Sequence, residues 1–271
     1  MDARQTIHRN NRRIAYSVQG EGPLVLLIQG LAMSSRSWLQ TSIPLMQGGF
    51  RVAAIDNRGT GLSERSLPPY SMREMALDAA FLIEHLGGPA IVAGLSLGGM
   101  IAQHLAIDHP THVSGLVLAG TTLGNPFGKL PRPRVLAALT LGILGHRKSM
   151  KAMRGYLVHP ANLARNPSLL DEFERTVSSE GTSWKTLVGQ LGAACLHNTY
   201  WRVREIRVPV EVVAGDHDVV LPTPNARLLA QRIPGANLTI LPQAGHAFPL
   251  EYPMAIPDAV DRVHRRLGVS R

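Results

Sequence analysis

Short apolar runs rich in Leu, Ile and Val alternate along most of the chain with longer stretches of helical spacing. Several of the runs, such as Leu24–Ile28, are apolar at every position. A strand has that composition when both of its faces are covered, as in a parallel sheet with helices on both sides. The pattern therefore predicts an α/β fold with a mostly parallel central sheet covered by helices on both faces.

The alternation predicts seven strands and five helices outside the segment that follows Ala119. The predicted strands are Arg13–Ser17, Leu24–Ile28, Val52–Ile55, Ile91–Ala93, Leu116–Ala119, Val210–Val213 and Leu238–Leu241. The predicted helices are Ser37–Met46, Ser71–Leu86, Leu97–Asp108, Thr223–Arg232 and Met254–Leu267.

The alternation stops after Ala119 and resumes near Val210. Between these points there is no strand-like run of the core type, and the amphipathic pieces Pro133–Gly145 and Leu169–Val177 predict helices. We therefore expect one core formed by residues 1–120 and 208–271, with a helical insertion at residues 121–207. No repeat or low-complexity tract interrupts either part.

The net charge of +9 is concentrated in this insertion, because 13 Lys and Arg but only 5 Asp and Glu lie between Leu123 and Val208. A nucleic-acid-binding segment would interleave such charges with aromatic side chains on a known binding fold, and this one does neither. We expect a solvated basic surface and no nucleic-acid partner. Attraction of an anionic substrate or a membrane surface is the alternative.

The chain shows no sign of secretion or membrane insertion. Residues 1–10 lack the apolar stretch of a signal peptide, and the longest apolar stretch, Val135–Leu144, is far shorter than the ~20 residues of a membrane span. The single cysteine, Cys195, excludes an intramolecular disulfide and is expected to be a buried apolar side chain. A cytoplasmic protein is expected, while its oligomeric state is not indicated.

The segment Gly94-Leu95-Ser96-Leu97-Gly98 lies between a predicted strand and a predicted helix. A sharp strand-to-helix turn there would lift the Ser96 hydroxyl clear of the sheet, and crowding explains the small residues two positions before and after it. A dinucleotide-binding loop is disfavoured, because the glycine spacing is wrong and the loop follows a middle strand. Ser96 is therefore the candidate nucleophile.

A serine hydroxyl needs a histidine base that is oriented by a carboxylate. His246 follows the last predicted strand, at the sheet edge where ligands bind. Asp218 follows the preceding strand and is preferred to Asp216, because the turn carries the later residue toward the base. The order serine, acid, histidine also fits this kind of fold.

The transition state of acyl transfer requires two donors for the developing oxyanion. The backbone N–H of Leu97, first in its helix, is one candidate. The other is the N–H of Leu31, in the loop Gln29-Gly30-Leu31 after the predicted strand Leu24–Ile28. Five apolar side chains are weaker candidates for the substrate pocket: Met33, Trp38, Met100, Trp184 and Phe248.

These segments resemble the α/β-hydrolase superfamily over almost the whole chain. The run Asp56–Ser63 is similar to the family's D-x-R-G-x-G-x-S loop, and the acid and base loops match G-x-x-D and G-H. The resemblance implies that residues 121–207 form a cap over the pocket. Where the family commonly has His-Gly, this chain has Gln29-Gly30, which leaves the subgroup open among esterases, enol-lactonases and cofactor-free haloperoxidase-type members.

The leading hypothesis is hydrolysis of a small-molecule carboxylic ester or lactone through an acyl-enzyme at Ser96, without a metal or an organic cofactor. Carbon–carbon bond hydrolysis or perhydrolysis by the same triad is an alternative. A non-catalytic ligand-binding protein of the same fold is another. The natural substrate is not specified by the sequence.

Overall fold

The computed structural model of the chain describes residues 4–65, 68–180 and 182–268. Its centre is one eight-stranded sheet with the strand order β1-β2-β4-β3-β5-β6-β7-β8. β2 pairs antiparallel with β1 and β4, and all other pairs are parallel. The strands are β1 Gln5–Arg9, β2 Arg12–Gln19, β3 Leu24–Ile28, β4 Arg51–Ile55, β5 Ala90–Leu95, β6 Val113–Ala119, β7 Val210–Gly215 and β8 Asn237–Leu241.

Eleven α-helices accompany the sheet in the described part of the chain. Those outside the insertion are α1 Leu39–Gln47, α2 Met72–His85, α3 Leu97–Asp108, α9 Pro224–Arg232, α10 Phe248–Glu251 and α11 Ala255–Arg266. Those between β6 and β7 are α4 Pro133–Ile143, α5 Arg147–Leu157, α6 Pro160–Arg165, α7 Asp171–Glu180 and α8 Trp184–Cys195. The α/β fold predicted from the alternation is confirmed.

Side chains of each central strand alternate between two apolar clusters, one on each face of the sheet. On β3, Leu26 and Ile28 pack on one face with residues of α2, α3 and α9, while Val25 and Leu27 pack on the other with residues of α1 and α11. All five residues of β3 are buried, since no face is left for solvent. This double covering is the physical reason for the unbroken apolar runs.

The first strand, β1, is missing from the sequence prediction. Its only buried side chain is Ile7, because it is an edge strand that pairs with β2 alone. An edge strand covered on one side needs no apolar run, so the pattern that identified the other strands is absent here.

The two ends of the insertion are joined above α3. The N–H of Thr199 donates to the carbonyl of Leu123 at 2.9 Å, and Gly124 forms an isolated antiparallel bridge with Asn198. Near the end of α8, Cys195 is exposed, so the expectation of a buried side chain is wrong. Within the described residues, no helix is both long and apolar enough to cross a bilayer.

Candidate active site

Six loops meet at the carboxyl edge of the parallel strands. β3 to β8 run in the same direction, and their last residues are Ile28, Ile55, Leu95, Ala119, Gly215 and Leu241. The loops that follow these strands therefore collect at one edge of the sheet. All of the predicted catalytic and oxyanion positions follow these strand ends.

Ser96 occupies a strained turn between β5 and α3. Its backbone has φ 57° and ψ −118°, a region that residues with a side chain seldom adopt, at a cost of about 1–3 kcal/mol. Two hydrogen bonds hold the turn: the N–H of Ser96 donates to Ala119 at 2.9 Å, and the Thr121 hydroxyl donates to the Ser96 carbonyl at 2.8 Å. The turn is thus supported by the neighbouring strand β6.

The glycines around Ser96 are required by close backbone packing. A Cβ on Gly98 would overlap the carbonyl oxygen of Ile28, and a Cβ on Gly94 would overlap that of Gly98. Gly30 lies opposite, where a Cβ would be 3.3 Å from Cβ of Ser96. The small residues that the sequence places on both sides of Ser96 therefore have a steric explanation.

His246 and Asp218 form a buried hydrogen-bonded pair. Nδ1 of His246 lies 2.8 Å from Oδ2 of Asp218, whose side chain has no exposed surface. The other carboxylate oxygen accepts from the N–H groups of Val220 at 2.9 Å and Leu221 at 2.8 Å. This carboxylate fixes the orientation of the imidazole, whereas Asp216 is exposed and accepts from Ala244 at 3.3 Å.

Ser96 and His246 line the same cavity, which has a volume of about 120 Å³. Among the hydrogen bonds of the described residues there is none between these two side chains. Bonds between a nucleophile and its base are often long before substrate is bound. Ser96 and His246 therefore share one cavity but are not hydrogen-bonded to each other in this structure.

The N–H groups of Leu31 and Leu97 have no acceptor within the described residues. Leu31 lines the cavity beside Ser96, and Leu97 begins α3, where the first N–H groups lack helical partners. Gln29, at the position of the usual histidine, turns its side chain back so that Oε1 accepts from the N–H of Gly30 at 2.8 Å. This contact stiffens the loop and leaves the N–H of Leu31 open.

Of the five predicted pocket residues, the structure brings only Met33 to this cavity. Trp38, Met100 and Phe248 are core side chains, and the side chain of Trp184 is 61% exposed at the start of α8. The remaining apolar wall comes mainly from the insertion, through Leu139, Ile143, Met153, Leu157 and Phe173. Sequence reasoning missed these five residues, because helical spacing shows which face is apolar but not what it covers.

The loop Asp56–Ser63, which follows β4, forms hydrogen bonds to segments near the site. One oxygen of the buried Asp56 accepts from the N–H of Ser35 at 2.7 Å, and the other accepts from Leu62 at 2.9 Å. Arg58 reaches Glu74 of α2 at 2.7 Å. These contacts give the loop a structural role beside the site.

A pair of buried histidines, His104 and His197, lies away from the cavity. Nδ1 of His197 is 3.3 Å from Nε2 of His104, and Nε2 of His197 is 3.1 Å from the carbonyl of Thr122. Burial, reinforced by the neighbouring His104, lowers the pKa of His197 to about 3. Burial also lowers the pKa of His104. No group of three or more His, Cys, Asp or Glu side chains within the described ranges could hold a metal ion.

Comparison with known proteins agrees with this architecture. The family model described as "Serine aminopeptidase, S33" matches residues 21–252. The putative carbamate hydrolase RutD of Azorhizobium caulinodans is 28% identical over 246 residues, which cover 89% of this chain and 91% of the relative. The putative non-heme bromoperoxidase BpoC of Mycobacterium tuberculosis is 30% identical over 264 residues, with coverage of 91% and 95%.

Solved structures share the whole fold. A hydrolase from Pseudomonas aeruginosa PA01 superposes with a TM-score of 0.82 at 26% identity, and the match covers 97% of this chain and 98% of that one. The family match spans most of the sheet, both segments that flank the insertion, and the loops of Ser96, Asp218 and His246. The chain therefore belongs to this serine aminopeptidase family of α/β-hydrolases and is a hydrolase of that fold.

Proposed function

We propose that the protein is a serine hydrolase that cleaves a carboxylic ester or lactone of a small molecule through an acyl-enzyme intermediate. The observation that carries the proposal is the shared cavity of Ser96 and His246, with His246 bonded to the buried Asp218. A strained serine, an imidazole and an oriented carboxylate are the components of nucleophilic acyl transfer. Relatives named as hydrolases support the same class of reaction.

In the proposed reaction, Oγ of Ser96 attacks the substrate carbonyl while Nε2 of His246 accepts the hydroxyl proton. The carbonyl π electrons move to oxygen, and the N–H groups of Leu31 and Leu97 donate to this oxyanion. Loss of one such donor costs on the order of 3 kcal/mol of transition-state stabilisation. Collapse of the intermediate expels the alkoxide, which takes the proton from His246.

The second half of the reaction repeats these steps with water. His246 accepts a proton from water, the hydroxide attacks the acyl carbonyl, and Ser96 leaves with the proton returned by His246. Asp218 orients the imidazole and stabilises its positive charge in both halves. We also propose that the insertion acts as a cap, since α4, α5 and α7 supply side chains to the cavity wall.

Labelling with a fluorescent fluorophosphonate tests the proposal. The wild-type protein is expected to form a covalent adduct at Ser96, and the Ser96→Ala variant to form none. Ser114 on β6 provides a matched control, because Ser114→Ala removes a serine hydroxyl that does not line the cavity. Folded wild-type protein that is not labelled would favour a non-catalytic ligand-binding protein.

Perhydrolysis is a second candidate reaction, because one relative is named a putative non-heme bromoperoxidase. If the acyl-enzyme is attacked by hydrogen peroxide in place of water, the product is a peracid. Addition of peroxide to an esterase assay would then yield peracid, detected by halide oxidation, only in protein that retains Ser96.

A further inference from the structure

A second cavity lies beside the cavity of Ser96, and Phe173 on α7 lines both. Neighbouring chain positions pass from one cavity to the other. Met33 and Ala247 line the first, which we call the inner cavity, while Ser37 and Leu250 line the second, which we call the outer cavity. The two cavities are therefore adjacent, and Phe173 lies at their shared boundary.

The two cavities differ in size and chemistry. The inner cavity holds about 120 Å³ and is lined mainly by apolar side chains, whereas the outer cavity holds about 350 Å³ and is lined mainly by polar ones. A compact acyl carbon chain fits the first environment. A larger group that forms hydrogen bonds fits the second.

Two hydrogen-bond donors of the outer cavity lack partners in the part of the chain that the structure describes. Oγ of Ser37 is buried with no hydrogen-bond partner, and the guanidinium of Arg175 forms no hydrogen bond or ion pair within the described residues. The acidic residue in the described lining, Asp171, is bonded to both terminal nitrogens of Arg154, at 3.2 and 3.1 Å. Its charge is therefore largely compensated.

A buried hydroxyl without a partner is unfavourable, and a bound acceptor would remove that cost. An arginine guanidinium pairs well with a carboxylate, since two parallel N–H groups match its two oxygens. Arg175 and Ser37 both line the outer cavity and are therefore available to donate to an anionic acceptor bound there.

We propose that the outer cavity is a substrate subsite for a carboxylate at the end of the substrate distant from the scissile carbonyl, and that Phe173 sets the length needed to reach it. This inference rests on the proposed function, because it assigns a substrate class to the same site. The carbonyl is held beside Ser96, the chain passes Phe173, and the carboxylate contacts Ser37 and Arg175.

The test uses 4-nitrophenyl monoesters of dicarboxylic acids of increasing chain length, each paired with the neutral fatty-acid ester of equal length. The ratio of kcat/KM for the charged and neutral members is expected to peak at one length in the wild type. Arg175→Gln should lower that peak ratio about tenfold, mainly through KM, because a charge-assisted hydrogen bond is lost. Arg134→Gln, an exposed arginine of α4 that does not line either cavity, should leave the ratio unchanged.

A second pair of variants tests Phe173. Removal of the ring in Phe173→Ala should widen the passage between the two cavities, so that kcat/KM for long neutral esters should rise severalfold relative to the acetate ester. Phe173→Leu, which keeps most of the packing, should show a smaller rise in the same direction and serves if the alanine variant does not fold.

The outcomes separate the two proposals. Active enzyme in which Arg175→Gln leaves the charged-to-neutral ratio unchanged, or in which both Phe173 variants keep the wild-type length profile, would overturn the subsite alone. Wild-type protein that neither cleaves any ester nor reacts with fluorophosphonate would overturn the proposed function, and the subsite with it.

Discussion

His246 and His197 are both buried and both hydrogen-bonded, but their partners differ in charge. His246 meets the carboxylate of Asp218 at 2.8 Å and lines the cavity. His197 lies between another imidazole and a backbone carbonyl, and burial lowers its pKa to about 3. A carboxylate, Asp108, lies 3.6 Å from Nδ1 of His104, and it is also bonded to Arg202 at 2.6 Å.

A buried carboxylate changes what a buried histidine can do. A proton on an imidazole beside a carboxylate forms an ion pair, so such a group can take up and return a proton during a reaction. A proton on one of two adjacent imidazoles is repelled and poorly solvated, so that pair stays neutral. The neutral pair suits a structural role, and here it lies where Thr122 and His197 bring the ends of the insertion together.

The largest expected effect follows from removal of the charge of Asp218. Asp218→Asn should preserve the fold but reduce kcat by roughly 10⁴, because the amide favours the wrong tautomer of His246. Steady-state hydrolysis of a 4-nitrophenyl ester by protein of wild-type circular dichroism would measure this. Asp216→Asn, two residues away and exposed, is the matched control and should retain kcat within a few fold. Rates near those of the wild type in Asp218→Asn would assign the acid to another residue.

The neutral pair should make stability depend on pH. The pKa of His197 is about 3 in the folded protein and about 6.5 in an unfolded chain. Between these values the unfolded chain binds more protons, so the free energy of unfolding decreases as the pH falls from 6.5 toward 3. Urea denaturation at a series of pH values would measure the slope.

Variants at two histidines isolate this contribution. His197→Gln removes the titrating group and should reduce the slope of unfolding free energy against pH in that interval. His8→Gln, at an exposed histidine of β1, should retain the wild-type slope. Equal slopes in His197→Gln and the wild type would show that other groups cause the acid sensitivity.

The sequence predicted the parts of the fold that its apolar periodicity determines. All seven predicted strands are present. β3 to β7 are buried by the layers on both faces, whereas β2 and the edge strand β8 are only partly buried. β1 was missed because an edge strand needs little apolar surface. In the insertion, α4 and α7 correspond to predicted helices, whereas the sequence pattern does not identify α5, α6 and α8. α5 packs on α4, and Gln190 of α8 donates to the carbonyl of Arg58. Contacts of this kind cannot be predicted from local spacing.

The candidate site likewise contains residues that the sequence can predict and residues that it cannot. Ser96, Asp218 and His246 could be identified because each follows a strand end, and strand ends meet at one edge in any parallel sheet. Phe173 could not, because its place in the cavity wall depends on how α7 packs against the turn at residues 35–38. Trp184 was a reasonable pocket candidate by composition, but it is exposed at the start of α8.

The smallest expected effect concerns the glycine next to the His246–Asp218 pair. A Cβ on Gly120 would lie 3.4 Å from Nδ1 of His246 and 3.5 Å from Oδ2 of Asp218, which is ordinary contact, but φ at this position is +47°. Gly120→Ala should therefore lower the free energy of unfolding by about 1 kcal/mol through backbone strain. It should change kcat/KM less than about tenfold, because the imidazole and carboxylate need not move.

The matched control is Gly192→Ala on α8, where a Cβ would meet no atom within 4 Å and φ is not positive. Alanine is the better helix former, so this variant should gain up to about 1 kcal/mol instead of losing it. Opposite signs in the two variants, measured by denaturation, would attribute the loss at Gly120 to its left-handed backbone. A fall in activity of several orders of magnitude in Gly120→Ala would show instead that the hydrogen bond between His246 and Asp218 cannot tolerate even a methyl group at contact distance.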